Sequence, residues 1–304
     1  MRLSFWTYLR YAWSNRKSIA SHKNYVAYLS KWTGGHAAYW VQNNARASGY
    51  PVGGNGWRFQ FERLPVHDEL LDTYGLDNIA GAGDTFVRAL RLMDWFCAHT
   101  SYCGMEIRAA YRFQGKQEDS LRILRYSYDG GFRRAINCRH KAYAFSDCLM
   151  AAGIFAIPIA MGSFTYRADE EDVTPRTSHF VVHAWLPEER RWVMLDPSLD
   201  SYITDENDRA LNLIEIHELR RQGKELRVAQ YDFNGTQDHR EHYLRGFILS
   251  SLLEMSIRDG TDRRKSGPRN RLLPEDVPQK DKDTRAITAS ELLAEPMMKE
   301  VAGL

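Results

Sequence analysis

Cysteine is scarce in this chain. Four in 304 residues (Cys97, Cys103, Cys138 and Cys148), with no Cys-x-x-Cys pair and no regular spacing, argue against a disulfide-stapled secreted scaffold. A reduced, cytoplasmic setting is the expectation. Long apolar runs are also missing, and nothing approaches the about 20 residues that a membrane-spanning helix needs. The opening stretch is broken by Arg2, Arg10, Arg16, Lys17 and Lys23, so no signal peptide is expected. Nor does charge of one sign accumulate. A net charge of +2 supplies no general attraction to nucleic acid or to an anionic membrane. The basic run Arg258 to Arg271 contains no interleaved aromatic on which a base could stack, and reads as a solvated loop. No internal repeat is found. What remains is ordinary globular material, 43% hydrophobic and 26% charged, long enough for one sizeable core or one core with extensions.

Three regions follow from the patterning. Residues 1–65 read as a helical N-terminal extension rich in Trp, Tyr, Lys and Arg, with a Gly- and Pro-containing linker near Ser48 to Trp57. Residues 66–235 hold the strongest periodicity, and residues 236–304 form a C-terminal extension that packs on or shields this core. Asp84 is a favourable N-cap for a helix carrying Phe86, Leu90, Met93 and Cys97 on its buried stripe. A shorter helix is expected around Glu118 to Tyr126. Ile154 to Met161 reads as a buried strand, with Pro158 arguing for a sheet edge or a bulge. Ala168 to Thr177 reads as a loop. Ser178 to Leu186, a turn at Pro187 to Arg190, and Arg191 to Leu195 read as a β-hairpin. Ile214 to Arg221, stopped by Gly223, reads as a helix.

Cys138 is the residue with chemical promise. Ala142, Phe145, Leu149 and Ala152 follow it at helical spacing, up to a C′ glycine at Gly153. A cysteine opening a helix meets the positive end of the dipole and free N–H groups, both of which favour thiolate. Cys148, beside Leu149, reads as a core residue. His140 reads as a surface or supporting group.

Asn137-Cys138-Arg139-His140, the helix running to Ala152-Gly153-Ile154, a later histidine, and Trp192-Val-Met-Leu-Asp196-Pro197 together resemble the transglutaminase-like superfamily. The resemblance spans about Tyr74 to Arg227 and is closest to bacterial members of poorly defined function. It implies an α+β fold, a circularly rearranged papain-like core with the nucleophile at a helix N-terminus packed on an antiparallel sheet. It also implies a Cys–His–Asp triad with Cys138 and Asp196 in the outer roles.

Two histidines compete for the middle role. His179 and His183 lie four residues apart, so strand alternation puts both on one face. His183-Ala-Trp185 matches a frequent family string, whereas Ser178-His179-Phe-Val matches the closest relatives. Spacing favours His179, because its strand is long enough to bring it opposite the end of the returning strand near Asp196. His183 would pair nearer to Trp192.

In the triad so implied, the Cys138 thiolate attacks an amide or ester carbonyl and the thioester passes to water or an amine. His179 moves the proton, Asp196 orients the ring, and the Cys138 N–H donates to the oxyanion. A second oxyanion donor is expected from Trp95 to Tyr102. The substrate is then a peptide, protein or amide, and hydrolysis, as by a peptidase or amidase, is favoured over crosslinking. No metal or organic cofactor is required: His179 and His183 have no third ligand at suitable spacing. The alternative is a catalytically silent binding or scaffold protein that retains the fold.

Overall fold

Helices α1 (Pro65–Tyr74), α3 (Thr85–His99) and α4 (Ser120–Ser127) pack on one side of α5 (Cys138–Ala151), while the short α2 (Leu76–Ala80) packs on α3. The structure, a computed structural model, describes residues 48–54, 56–102, 119–162, 178–230, 232, 240–262, 269–275 and 284–297. The expected helix within residues 1–47, Cys103 and the loop Ala168 to Thr177 lie outside the described residues.

The opposite side of α5 meets a sheet. Its strands are β1 (Ala156–Gly162), β2 (Ser178–Leu186) and β3 (Arg191–Leu195), joined later in the chain by β6 (Glu254–Ile257), β7 (Arg269–Leu272) and β8 (Thr284–Ala286). Their order is β3-β2-β1-β6-β7-β8, antiparallel throughout except for the parallel β7–β8 pair. Two short strands, β4 (Tyr202–Thr204) and β5 (Arg227–Ala229), form a separate ribbon around α6 (Leu213–Arg221). The chain then makes α7 (Arg240–Tyr243) and a π-helical turn over Leu244–Ile248, and ends in α8 (Ala289–Leu292). The fold is thus α+β, with helices packed against a largely antiparallel sheet. No described helix is long and apolar enough to cross a membrane.

Because α5 is sandwiched, it is buried on every side from His140 to Ala151. The stripe Ala142, Phe145, Leu149 marks only part of that contact surface. His140, expected at the surface or in a supporting place, is 3% exposed. The helix ends as the glycine predicts: Gly153 has φ +79°, and the Gly153 and Ile154 N–H groups close onto the Met150 and Leu149 carbonyls. Polar groups fix it laterally. His67 Nδ1 accepts from the Leu64 N–H, which leaves its Nε2 proton facing Asp147 Oδ1 at 3.5 Å, and Ser120 Oγ donates to Asp147 Oδ2 at 2.6 Å.

Three local expectations need correction. The buried face of α3 is Thr85, Ala89, Leu92, Met93 and Phe96; Phe86, Leu90 and Cys97 sit half-buried beside it. Its start is not capped by the Asp84 side chain. Glu188, in the β2–β3 turn, accepts from both Thr85 N and Thr85 Oγ1 at 3.1 and 2.8 Å, a tertiary cap that local sequence does not encode. Finally, β1 is an interior strand despite Pro158. Strand β6 pairs only at Ala160 and Met161, so next to the missing N–H of Pro158 the sheet is locally an edge.

The C-terminal segment is woven in rather than laid on. It supplies β6 to β8 of the sheet, and Glu291 accepts from the Trp57 N–H at 2.7 Å. Arg269 to Leu272, which overlaps the end of the Arg258 to Arg271 stretch expected as a basic loop, forms β7.

Candidate active site

Cys138 occupies the first turn of α5 and is half-buried. Asn137 is the N-cap, its side chain accepting the His140 N–H at 3.0 Å. Just before it, Ile136 bridges to Tyr102 and its N–H donates to the Ser101 carbonyl, so the segment after α3 runs beside the turn that carries Cys138. The backbone carbonyls of that segment are engaged, Ser101 with Ile136 and Thr100 with the Lys141 ammonium at 2.8 Å.

The hairpin forms with the residues and turn that the sequence predicts. Pairing of β2 with β3 runs from Leu186↔Arg191 to Val182↔Leu195, which leaves Asp196 just beyond the last rung. His179, further along β2 and wholly buried, reaches Asp196: its Nε2–H donates to Asp196 Oδ2 at 2.6 Å. Cys138 is among the groups that favour charge on this ring. Burial opposes charge on this ring, but the Asp196 carboxylate, with a smaller contribution from Cys138, outweighs it and lifts the pKa to about 10.

Asp196 is fully enclosed and held on both oxygens. Oδ1 accepts the Ser198 N–H at 2.8 Å, an Asx-type turn, and Oδ2 accepts the Tyr243 hydroxyl at 3.0 Å as well as His179. Beneath it, the Cys97 thiol donates to the Pro197 carbonyl at 3.0 Å. Lys141, 1% exposed, is a buried cation near Asp196 and Asp200, with its ammonium over the Phe96 ring.

His183 is elsewhere. It pairs with Met194, stacks near Trp192, and its Nε2 accepts the Leu213 N–H at the start of α6 at 3.1 Å. Burial alone pushes its pKa down to about 3.

The structure therefore joins His179 to Asp196, keeps Cys138 at the start of α5, and gives His183 a different partner. The other described thiols differ in kind. Burial pushes both Cys97 and Cys148 well above the usual thiol range. Among the described residues, no three His, Cys, Asp or Glu side chains converge as metal ligands. Two participants are invisible to sequence reasoning. Tyr243 lies 47 residues from Asp196 with no pattern to link them, and Lys141 reads as surface until α5 is known to be enclosed. Comparison of the chain with protein-family models, with curated proteins and with solved structures finds no match.

Proposed function

We propose that this chain is a thiol-dependent acyl-transfer enzyme of the transglutaminase-like, papain-related kind, hydrolysing a peptide or amide bond. The observation that carries the reading is one buried ring, His179, bonded to Asp196 and made strongly basic by that carboxylate with help from Cys138, a half-exposed cysteine at a helix N-terminus. Two structural histidines would satisfy the sheet equally well; a strongly basic ring between a carboxylate and a thiol is a costly arrangement without chemical use.

In this reading His179 takes the Cys138 proton and the sulfur attacks the substrate carbonyl carbon. The oxyanion that forms is met by the Cys138 N–H, which has no partner within its own helix at that position. Collapse breaks the C–N bond, and His179 returns the proton to the leaving amine. Water then adds to the thioester, giving its proton to His179, and expulsion of the sulfur regenerates the pair. Asp196 holds the ring in one tautomer throughout. The unpaired thiols suit a reduced, cytoplasmic compartment.

Limiting iodoacetamide at pH 7, read by peptide mass spectrometry, tests the claim. Cys138 should be labelled first among Cys97, Cys103, Cys138 and Cys148, and a peptide and amide library should be turned over by wild type but not by Cys138→Ala. Preferential labelling of another cysteine, or turnover surviving Cys138→Ala, would defeat it. Fast labelling without any turnover would mark a binding protein that keeps a reactive thiol.

A further inference from the structure

Asp196 Oδ2 accepts two hydrogen bonds, one from the His179 ring at 2.6 Å and one from the Tyr243 phenol at 3.0 Å. Tyr243 is 1% exposed and closes α7, immediately before the π-helical turn at Leu244–Ile248. That turn packs against β2, the strand carrying His179. Single π turns break the regular ladder and are often found where a side chain must be aimed. The C-terminal segment thus meets the reacting group at two points, the carboxylate and the strand.

We propose that Tyr243 is a positioning residue for the Cys138–His179–Asp196 group, sharing the Asp196 oxygen with His179 and thereby setting how strongly that carboxylate holds the imidazolium. This rests on the thiol-enzyme reading and extends the reacting unit beyond residue 235. A phenol O–H donated to a carboxylate spreads its charge and lowers its basicity. With part of the Oδ2 charge engaged by Tyr243, Asp196 holds the His179 proton less tightly than it otherwise would. The ring therefore stays basic enough to keep the proton at rest, yet can release it to a leaving amine. Other titratable groups in this neighbourhood are Cys138 at the ring and, near Asp196, the buried Lys141, which also faces Asp232 and Asp200, a carboxyl that burial raises to about 7; a change confined to the phenol leaves all of them in place.

Tyr243→Phe keeps the ring and removes only the hydroxyl. The readout is the His179 titration, followed by NMR of ring nitrogens in labelled full-length protein and assigned by its loss in His179→Gln. The expected result is an upward move of about half to one pH unit, with the alkaline limb of Cys138 alkylation moving the same way. Tyr50→Phe, which removes another buried phenol, bonded to the Leu252 carbonyl, should leave the titration in place. A titration in Tyr243→Phe that stays put or falls would overturn the proposal. Should Tyr243→Phe not fold, 3-fluorotyrosine at the same position, a stronger donor of unchanged shape, should shift the ring downward; no shift would again overturn it. Failure of the enzyme reading is seen separately, as Cys138 alkylating no faster than a free thiol at pH 7, because the ring titration reports on Tyr243 whether or not the thiol is reactive.

Discussion

His179 and His183 stand on the same face of the same strand, four residues apart and both without exposure, yet one ring is held as a cation and the other is kept neutral. Burial disfavours charge on both. At His179 the Asp196 carboxylate and the Cys138 partner overcome it. At His183 the partner is an N–H at the start of α6. A ring nitrogen that accepts from an amide cannot itself carry a proton, and a cation there would face the positive end of a helix dipole. Residue type and strand periodicity are identical at the two positions. The difference is what the chain brings to each from far away: the end of β3 and a helix start in one case, another helix start with its N–H groups turned inward in the other.

The largest effects should come from breaking this asymmetry directly. In the proposed mechanism His179→Ala removes the proton carrier, and turnover should fall by roughly 10³-fold or more. Cys138 alkylation at pH 7 should drop and recover only as pH passes about 8.5, where a lone thiol ionises. Asp196→Asn should cost a comparable factor in turnover with the fold retained. His183→Ala leaves a ring-sized hole and an unpaired Leu213 N–H, so stability should fall by about 2–4 kcal/mol in urea melts while the folded fraction alkylates normally. If His183→Ala silenced the thiol and His179→Ala did not, the assignment of roles would be reversed.

The charge states themselves sharpen the comparison. NMR of the ring nitrogens at pH 7 should find His179 doubly protonated until about pH 10 and His183 as the neutral Nδ1–H tautomer down to about pH 3. The linked stabilities have opposite signs. The His179 pKa is raised, so its contribution is complete below the unfolded value of about 6.5 and is lost as pH rises through about 10. The His183 pKa is lowered, so its contribution is present above about 6.5 and is lost as pH falls towards about 3. His183→Gln should therefore flatten the acid side of the stability curve. On the alkaline side the ring, not the melt, is the decisive readout. A His183 that protonates near pH 6 would show that its site is open to water.

How much of this was legible in the sequence depends on distance along the chain. The hairpin, with its turn at Pro187 to Arg190, was readable to the residue because strand period and turn chemistry are local. So were the Gly153 stop and the core place of Cys148. The two histidines could be separated in space because strand length fixes which one reaches the end of β3. Legibility fails where a partner arrives from elsewhere. Glu188 caps α3 from the hairpin turn, and Tyr243 reaches Asp196 from the C-terminal segment. Strands β6 to β8 extend a sheet whose other strands end at Leu195, and no hydrophobic pattern near Glu254 signals that partnership. Burial of α5 on all sides was hidden for the same reason, since one stripe is visible from spacing but four neighbours are not.

The smallest expected effect separates capping from chemistry at Cys138 itself. Asn137 and His183 do the same local job, each accepting an N–H in the first turn of a helix, from His140 in one case and from Leu213 in the other. Asn137 does it with a short side chain at the N-cap position and leaves no large void when truncated. Asn137→Ala should therefore cost only about 1 kcal/mol, less than His183→Ala, and lower the melting temperature by a few degrees. The α5 helix is held at Asp147 by His67 and Ser120 and is buried from His140 to Ala151, so its first turn has little freedom to unwind. Cys138 alkylation should consequently keep its pH profile in Asn137→Ala, because the proton partner is His179 and not the cap. A profile shifted upward by a full unit in that variant would mean that the orientation of the first-turn N–H groups, rather than the buried ring, is what sets the reactivity of the sulfur.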